Sequence, residues 1–225
     1  MTLQTSPSRK TSDTAALKAL GDAVTRRLDA DPAAYRLPVD GLVIYGISGF
    51  FSPVECERLI KIVDAVAKPS TVFSGSTDDQ GRTSYSGDVD PHDPFIKMLQ
   101  RRIDDLLGIN PRFGETIQVQ RYQPGQQFKA HFDWLDPKAG YWEQEQRAGQ
   151  RSWTAMAYLN DVEEGGTTDF PKVELSVPPQ AGALLIWNNM SLDGTPNPKS
   201  LHAGTPVVRG VKYVITKWYR ARNWW

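Results

Sequence analysis

The 225-residue sequence predicts an α+β chain in which N-terminal helices support a β roll. Two observations predict it. Three segments of residues 14–108 carry apolar residues at helical spacing. After Gly108 the pattern changes to short apolar runs separated by Gly and Pro, as in a sandwich or barrel.

Residues 1–13 are polar and read as a flexible N-terminus, and residues 14–225 as one domain with helical support in 14–108 and a β-roll core in 109–220. A first helix is expected over 14–28, with Leu17, Leu20, Val24 and Leu28 on one stripe. Residues 42–45 read as a strand. Ser52, Pro53 and Glu55 then form a helix-start signature, with a capping residue, a proline at the first turn and a capping-box partner. Leu59, Ile60, Val63 and Val66 are the apolar positions of that second helix. A third begins near Pro94 with Asp93 as cap, and Phe95, Met98, Leu99, Ile103 and Leu106 form its expected buried face. Strands are expected over 116–122, 153–159, 168–170, 183–187 and 211–219. Residues 135–152 are charged and irregular. They interrupt the roll, and their position suits a lid over a reactive centre.

Composition narrows the function classes. The 26 Lys and Arg balance 26 Asp and Glu, so no nucleic-acid footprint is evident. The single cysteine, Cys56, lies in the second helix and reads as a buried inert thiol. The polar N-terminus lacks a signal-peptide core, and no run approaches the ~20 apolar residues of a membrane span. A soluble cytoplasmic protein is expected.

Only three histidines are present: His92, His131 and His202. In extended backbone His131 and Asp133 project to the same side. With His202 they can form a two-histidine, one-carboxylate triad, which leaves open positions on iron(II). His-X-Asp alone is weak, since it also occurs as an ordinary turn or surface pair. His92, in Asp90-Pro91-His92-Asp93-Pro94, reads as a helix-entry residue.

The surroundings are more specific. ETIQVQRYQPGQQFKAHFD over 115–133, RSWTAMAYLNDVEEGGTTDFP over 151–171 and GTPNPKSLHAGTPVVRGVKYVITKW over 194–218 resemble, in order and spacing, the prolyl 4-hydroxylase catalytic-domain family of iron(II)/2-oxoglutarate dioxygenases. A weaker echo lies in 50–60 and in Arg82-Thr83-Ser84. The resemblance implies a double-stranded β-helix core (jelly-roll, cupin-like) with N-terminal supporting helices. It implies iron(II) held by His131, Asp133 and His202, with 2-oxoglutarate and O₂ as co-substrates and ascorbate to rescue oxidised iron. It implies 2-oxoglutarate contacts from Lys212, Tyr122 and Thr154, and substrate contacts from Arg151, Trp218 and Phe128. For each there is an ordinary alternative: a surface lysine, satisfied core hydroxyls, a salt bridge, a core aromatic. Many relatives carry tyrosine where this chain has Phe128, and Trp134 is bulkier than many counterparts.

The expected reaction is hydroxylation of a substrate C–H bond with release of succinate and CO₂. A peptidyl proline is the first substrate choice, and a peptide, protein or small molecule the general partner. Two other readings are a hydroxylase of a free amino acid or small metabolite and a non-catalytic cupin-like metal or ligand-binding module. A nucleic-acid repair oxygenase would call for a basic groove. On strand 211–219, Lys212, Val214, Thr216 and Trp218 share one side.

Overall fold

The computed structural model describes residues 13–70, 81–136 and 147–224. In chain order the elements are α1 (Thr14–Asp29), β1 (Tyr35–Arg36), β2 (Ile44–Ile47), α2 (Pro53–Val66), β3 (Lys68–Pro69), β4 (Tyr85–Asp88) and α3 (Pro94–Leu107). The strands of the second half follow: β5 (Gln118–Tyr122), β6 (Phe128–His131), β7 (Arg151–Tyr158), β8 (Glu164–Gly165), β9 (Thr168–Phe170), β10 (Leu175–Val177), β11 (Leu184–Asn188), β12 (His202–Gly204), β13 (Val207–Arg209) and β14 (Lys212–Arg220).

The fold is α+β. An eight-stranded antiparallel sheet runs β1-β2-β11-β7-β14-β5-β4-β3, and a four-stranded sheet runs β10-β9-β12-β6. The helices cover one face of the large sheet. The small sheet stands over the other. Because β7 and β14 are buried on both faces, they read as nearly continuous apolar runs. Side-chain parity still sorts them. Trp153, Ala155, Ala157, Ile215 and Tyr219 pack with the helices, whereas Met156, Tyr158 and Val214 pack toward the small sheet with Phe170 and Trp187.

The helix signatures act as expected. Ser52 Oγ accepts from the Glu55 N–H, and Glu55 accepts from the Ser52 N–H at 2.9 Å, closing the capping box. Asp93 caps α3 through Phe95 and Ile96, and Gly108 ends it in the left-handed conformation at φ 66. Leu17, Val24 and Leu28 bury the α1 stripe, and Cys56 is buried in α2. One face is corrected. The buried residues of α3 are Ile96, Leu99, Ile103, Asp104 and Leu107, and Met98 is exposed. Asp104 turns inward to pair with Lys217 of β14 at 2.7 Å, and that rotates the stripe.

The strand expected at 42–45 starts two residues later. Strands β6 and β12, which carry the histidines, were not expected as strands. The base of the 135–152 segment is closed by Gln150, whose amide donates to the Leu135 carbonyl at 2.6 Å and accepts from the Leu135 N–H at 2.7 Å. The lid expected over 135–152 and the flexible N-terminus expected over 1–13 fall mostly on residues 137–146 and 1–12. Those two stretches lie outside the described residues.

Candidate active site

Strands β6 and β12 pair antiparallel with His131 opposite His202, which brings the imidazole centroids to 4.3 Å. Asp133 follows β6 by two residues and turns its carboxylate between them. His131 Nε2 lies 3.9 Å from Asp133 Oδ1, and His202 Nε2 lies 3.7 Å from Asp133 Oδ2. One donor atom from each residue falls within 4.8 Å of the others.

Both rings are oriented the same way. His131 Nδ1 meets the Lys129 carbonyl at 2.8 Å, and His202 Nδ1 meets the Ser200 carbonyl at 2.9 Å. A carbonyl only accepts, so each Nδ1 carries the proton and each Nε2 lone pair faces the shared space. Phe128 stacks on His131 with centroids 3.6 Å apart, and Trp187 stands edge-on to His202 at 4.9 Å. Burial and then the neighbouring His202 push the His131 pKa down to about 3, so its imidazole is neutral. Burial works against the Asp133 charge, but the two imidazoles, Arg151 and the Thr154 hydroxyl outweigh it and hold the carboxyl below its usual range. Two imidazoles and one carboxylate on one side of a cavity fit iron(II) with open positions.

That cavity has Gln120, Tyr122, Asp133, Lys212, Thr216 and Trp218 among its lining residues. Lys212, Val214, Thr216 and Trp218 all line it, so β14 presents the expected side. Lys212 is 3% exposed. Its ammonium donates to Thr168 Oγ1 at 3.4 Å and lies 5.5 Å from the ring centroids of both Tyr122 and Tyr158. Burial pushes its pKa down to about 7, and Asp169 opposes that only from beyond ion-pair contact. Among the described residues no carboxylate pairs with it. A buried cation held this way fits an anionic ligand.

The other expected residues divide. Tyr122 is buried on the cavity wall, but its hydroxyl donates to Gln120 Oε1 at 2.8 Å. Thr154 has a different partner from the one expected: its hydroxyl donates to Asp133 Oδ2 at 2.7 Å, so its proton is committed to the metal-ligand carboxylate. Arg151 grips the buried Glu115 with two bonds of 2.7 and 2.8 Å and lies 4.1 Å from the Trp218 ring centroid. The Trp218 indole N–H has no acceptor among the described residues. Among the described residues His92 joins no metal-ligand group, and its N–H donates to Asp90 at the entry to α3.

Several site residues escaped the sequence reading. Tyr158 donates to Thr168 Oγ1 at 2.8 Å beside the Lys212 ammonium. Its even spacing from Thr154 along β7 was the available signal. Arg82, in the Arg82-Thr83-Ser84 echo, lies 4.8 Å from the Phe128 ring centroid and donates to Ser84 Oγ and Gln118 Oε1. Asn189 donates to Thr154 Oγ1 at 2.8 Å.

Comparisons with known proteins agree with this geometry. The family model of the 2OG-Fe(II) oxygenase superfamily matches residues 117–220. The chain is 34% identical over 222 residues to probable prolyl 4-hydroxylase 3 of Arabidopsis thaliana, covering 88% of this chain and 72% of that relative. It is 36% identical to prolyl 4-hydroxylase 5 of the same plant, covering 77% and 67%. Among solved structures it is similar to the viral collagen prolyl hydroxylase of Paramecium Bursaria Chlorella virus-1 in complex with 2OG. There the TM-score is 0.63 and the identity 27%, and the match covers 82% of this chain and 99% of that one. The chain belongs to the prolyl 4-hydroxylase family of iron(II)/2-oxoglutarate oxygenases. It is a dioxygenase of double-stranded β-helix fold that depends on iron(II), 2-oxoglutarate and O₂. No helix among the described residues is long and apolar enough to cross a membrane.

Proposed function

We propose that this dioxygenase hydroxylates a prolyl residue in a peptide or protein and works in the cytoplasm, with ascorbate as the reductant that rescues its iron. The observation that carries the proline reading is the complete His131, Asp133 and His202 triad beside Lys212, in a chain whose relatives are named prolyl 4-hydroxylases. Bound at the triad, iron(II) supplies the oxidising chemistry by which 2-oxoglutarate and O₂ become succinate, CO₂ and a substrate hydroxyl.

The chain's own residues bind and orient. Lys212 is the partner for the far carboxylate of 2-oxoglutarate, with Thr168 and Tyr158 steadying its ammonium. A charge-assisted bond here neutralises both buried charges at once. Tyr122 walls that pocket, and its hydroxyl reaches the co-substrate only if it leaves Gln120. Phe128 and Trp218 line the cavity beside the metal ligands and give its substrate side an aromatic wall, suited to a pyrrolidine ring. Arg151, braced by Glu115, holds its cation 4.1 Å from the Trp218 ring centroid, beside the substrate side of the cavity.

The test is product analysis. Purified protein with iron(II), 2-oxoglutarate and ascorbate is offered proline-rich peptides, free proline and other free amino acids. Succinate is quantified and each product is sequenced by mass spectrometry. One added oxygen on a prolyl residue is expected. Hydroxylation of only a free amino acid or small metabolite would refute the peptidyl reading and leave the dioxygenase class intact.

A further inference from the structure

Asp133 is held by a one-way chain of hydrogen bonds from the end of β11. Asn189 Nδ2 donates to Thr154 Oγ1 at 2.8 Å, and Thr154 Oγ1 donates to Asp133 Oδ2 at 2.7 Å. All three residues are buried; Thr154 and Asn189 are 0% exposed. The direction is fixed by chemistry. The ionised carboxylate only accepts, so the single Thr154 proton points at Asp133. Its oxygen must then accept from Asn189, which requires the amide NH₂ group to face it. The opposite face of that amide, Asn189 Oδ1, has no donor among the described residues. A buried orphan acceptor is costly, and the reversed amide would take the Thr154 proton away from Asp133.

Asn189 also ties the second metal-binding strand into place. Its N–H donates to the Ser152 carbonyl at 2.8 Å, and its carbonyl accepts from the Asn197 N–H at 3.0 Å. Asn197 begins the turn that ends at Ser200, whose carbonyl orients His202 at 2.9 Å. One residue therefore reaches Asp133 through a side chain and approaches His202 through the backbone.

We propose that Thr154 and Asn189 are positioning residues of the metal centre, setting iron(II) affinity by fixing the Asp133 carboxylate in its ligating rotamer. The inference rests on the assignment of His131, Asp133 and His202 as the iron ligands. It separates two buried hydroxyls of the site: Thr154 serves the metal, and Thr168 serves Lys212.

The experiment is an anaerobic iron(II) titration in competition with a chromogenic chelator, on wild type, Thr154→Val, Thr154→Ser, Asn189→Ala and the Thr154→Val/Asn189→Ala double variant. Thr154→Val, nearly isosteric, is expected to weaken iron(II) binding about ten-fold to a hundred-fold, and Thr154→Ser to restore it. Asn189→Ala tests the same chain from its other end and is expected to weaken binding in the wild-type background. It should add less than about three-fold in the Thr154→Val background, because the path through Thr154 is already cut. At saturating iron(II), 2-oxoglutarate affinity is expected to stay at the wild-type value in every variant. Wild-type iron(II) affinity in Thr154→Val or in Asn189→Ala, or an equal Asn189→Ala effect in both backgrounds, would overturn the proposal. Wild-type protein that binds no iron(II) would instead overturn the ligand assignment beneath it.

Discussion

Strand β14 buries two lysines, one on each face, and they are provided for differently. Lys217 points toward α3, where it pairs with Asp104 at 2.7 Å, and Tyr219 adds a hydroxyl bond of 2.6 Å to the same carboxylate. Lys212 points into the cavity, with a hydroxyl at 3.4 Å and two aromatic rings for company. Burial lowers both pKa values, and only Lys217 has a carboxylate in contact to oppose it. A buried ion pair completes itself within the fold. A buried cation without one is completed by a ligand. The helix-side face of the sheet therefore holds the structure together, and the small-sheet face holds the reaction.

The largest expected effect is on the cavity face. Alanine at His131, Asp133 or His202 removes a third of the donor set, and substrate-coupled succinate formation should fall to background in each. Turnover at the wild-type rate in any two of them would break the assignment of that face to catalysis.

The next effect is on the opposite face. Lys217→Met strands the Asp104 carboxylate under α3 and is expected to cost on the order of 3–5 kcal/mol of unfolding free energy. The protein that remains folded should bind 2-oxoglutarate as wild type does. Denaturant titration beside ligand titration checks both halves.

A smaller effect sharpens the contrast through pH. In the ligand-free protein Lys212 titrates at about 7. A dianion needs the charged form, so 2-oxoglutarate affinity is expected to fall as pH rises above about 7, by at most about ten-fold per pH unit. Lys212→Met should flatten that slope. A wild-type affinity independent of pH across this window would contradict a depressed Lys212.

The smallest effect is on the stability of the ligand-free protein, and its sign is diagnostic. The folded pKa of Lys212 lies below the unfolded value of about 10.4. Below about pH 7 both states are protonated, and the full cost of burying the ammonium is present. Between the two values the unfolded chain binds the extra proton, so wild-type stability from this group rises with pH. Lys212→Met should leave the ligand-free protein as stable as wild type or more so near pH 7. Marked destabilisation would mean that Lys212 belongs to the structural class with Lys217.

Much of this was legible from residue pattern. Ser52, Glu55, Asp93 and Gly108 marked helix ends because capping is local chemistry, written within four residues. The side chains of β14 alternate strictly, so the grouping of Lys212 with Trp218 survived even though both faces are apolar enough to hide which one lines the cavity. The triad was legible through the resemblance of the three sequence blocks, since the two-residue spacing of His131 and Asp133 is weak on its own. Strands β6 and β12 were not. They are short, partly exposed and polar, and their conformation comes from pairing with each other and with β9 rather than from any alternation of their own. The rotation of α3 that exposes Met98 depends on the Asp104–Lys217 pair, a contact between residues far apart in sequence. Thr154 shows the same limit. Parity points its hydroxyl inward, but only the fold says that Asp133 lies within reach and Lys212 has Thr168 instead.

The most direct test of this division is an anaerobic titration of 2-oxoglutarate into the iron(II)-loaded wild type, Lys212→Met and Lys217→Met, following the metal-to-ligand charge-transfer band. Loss of the charged hydrogen bond is expected to weaken binding to Lys212→Met by about ten-fold to a hundred-fold, with iron(II) binding intact and Lys217→Met matching wild type. An unchanged dissociation constant for Lys212→Met would show that another residue holds the far carboxylate, and that the unpaired lysine of the cavity is not the co-substrate anchor.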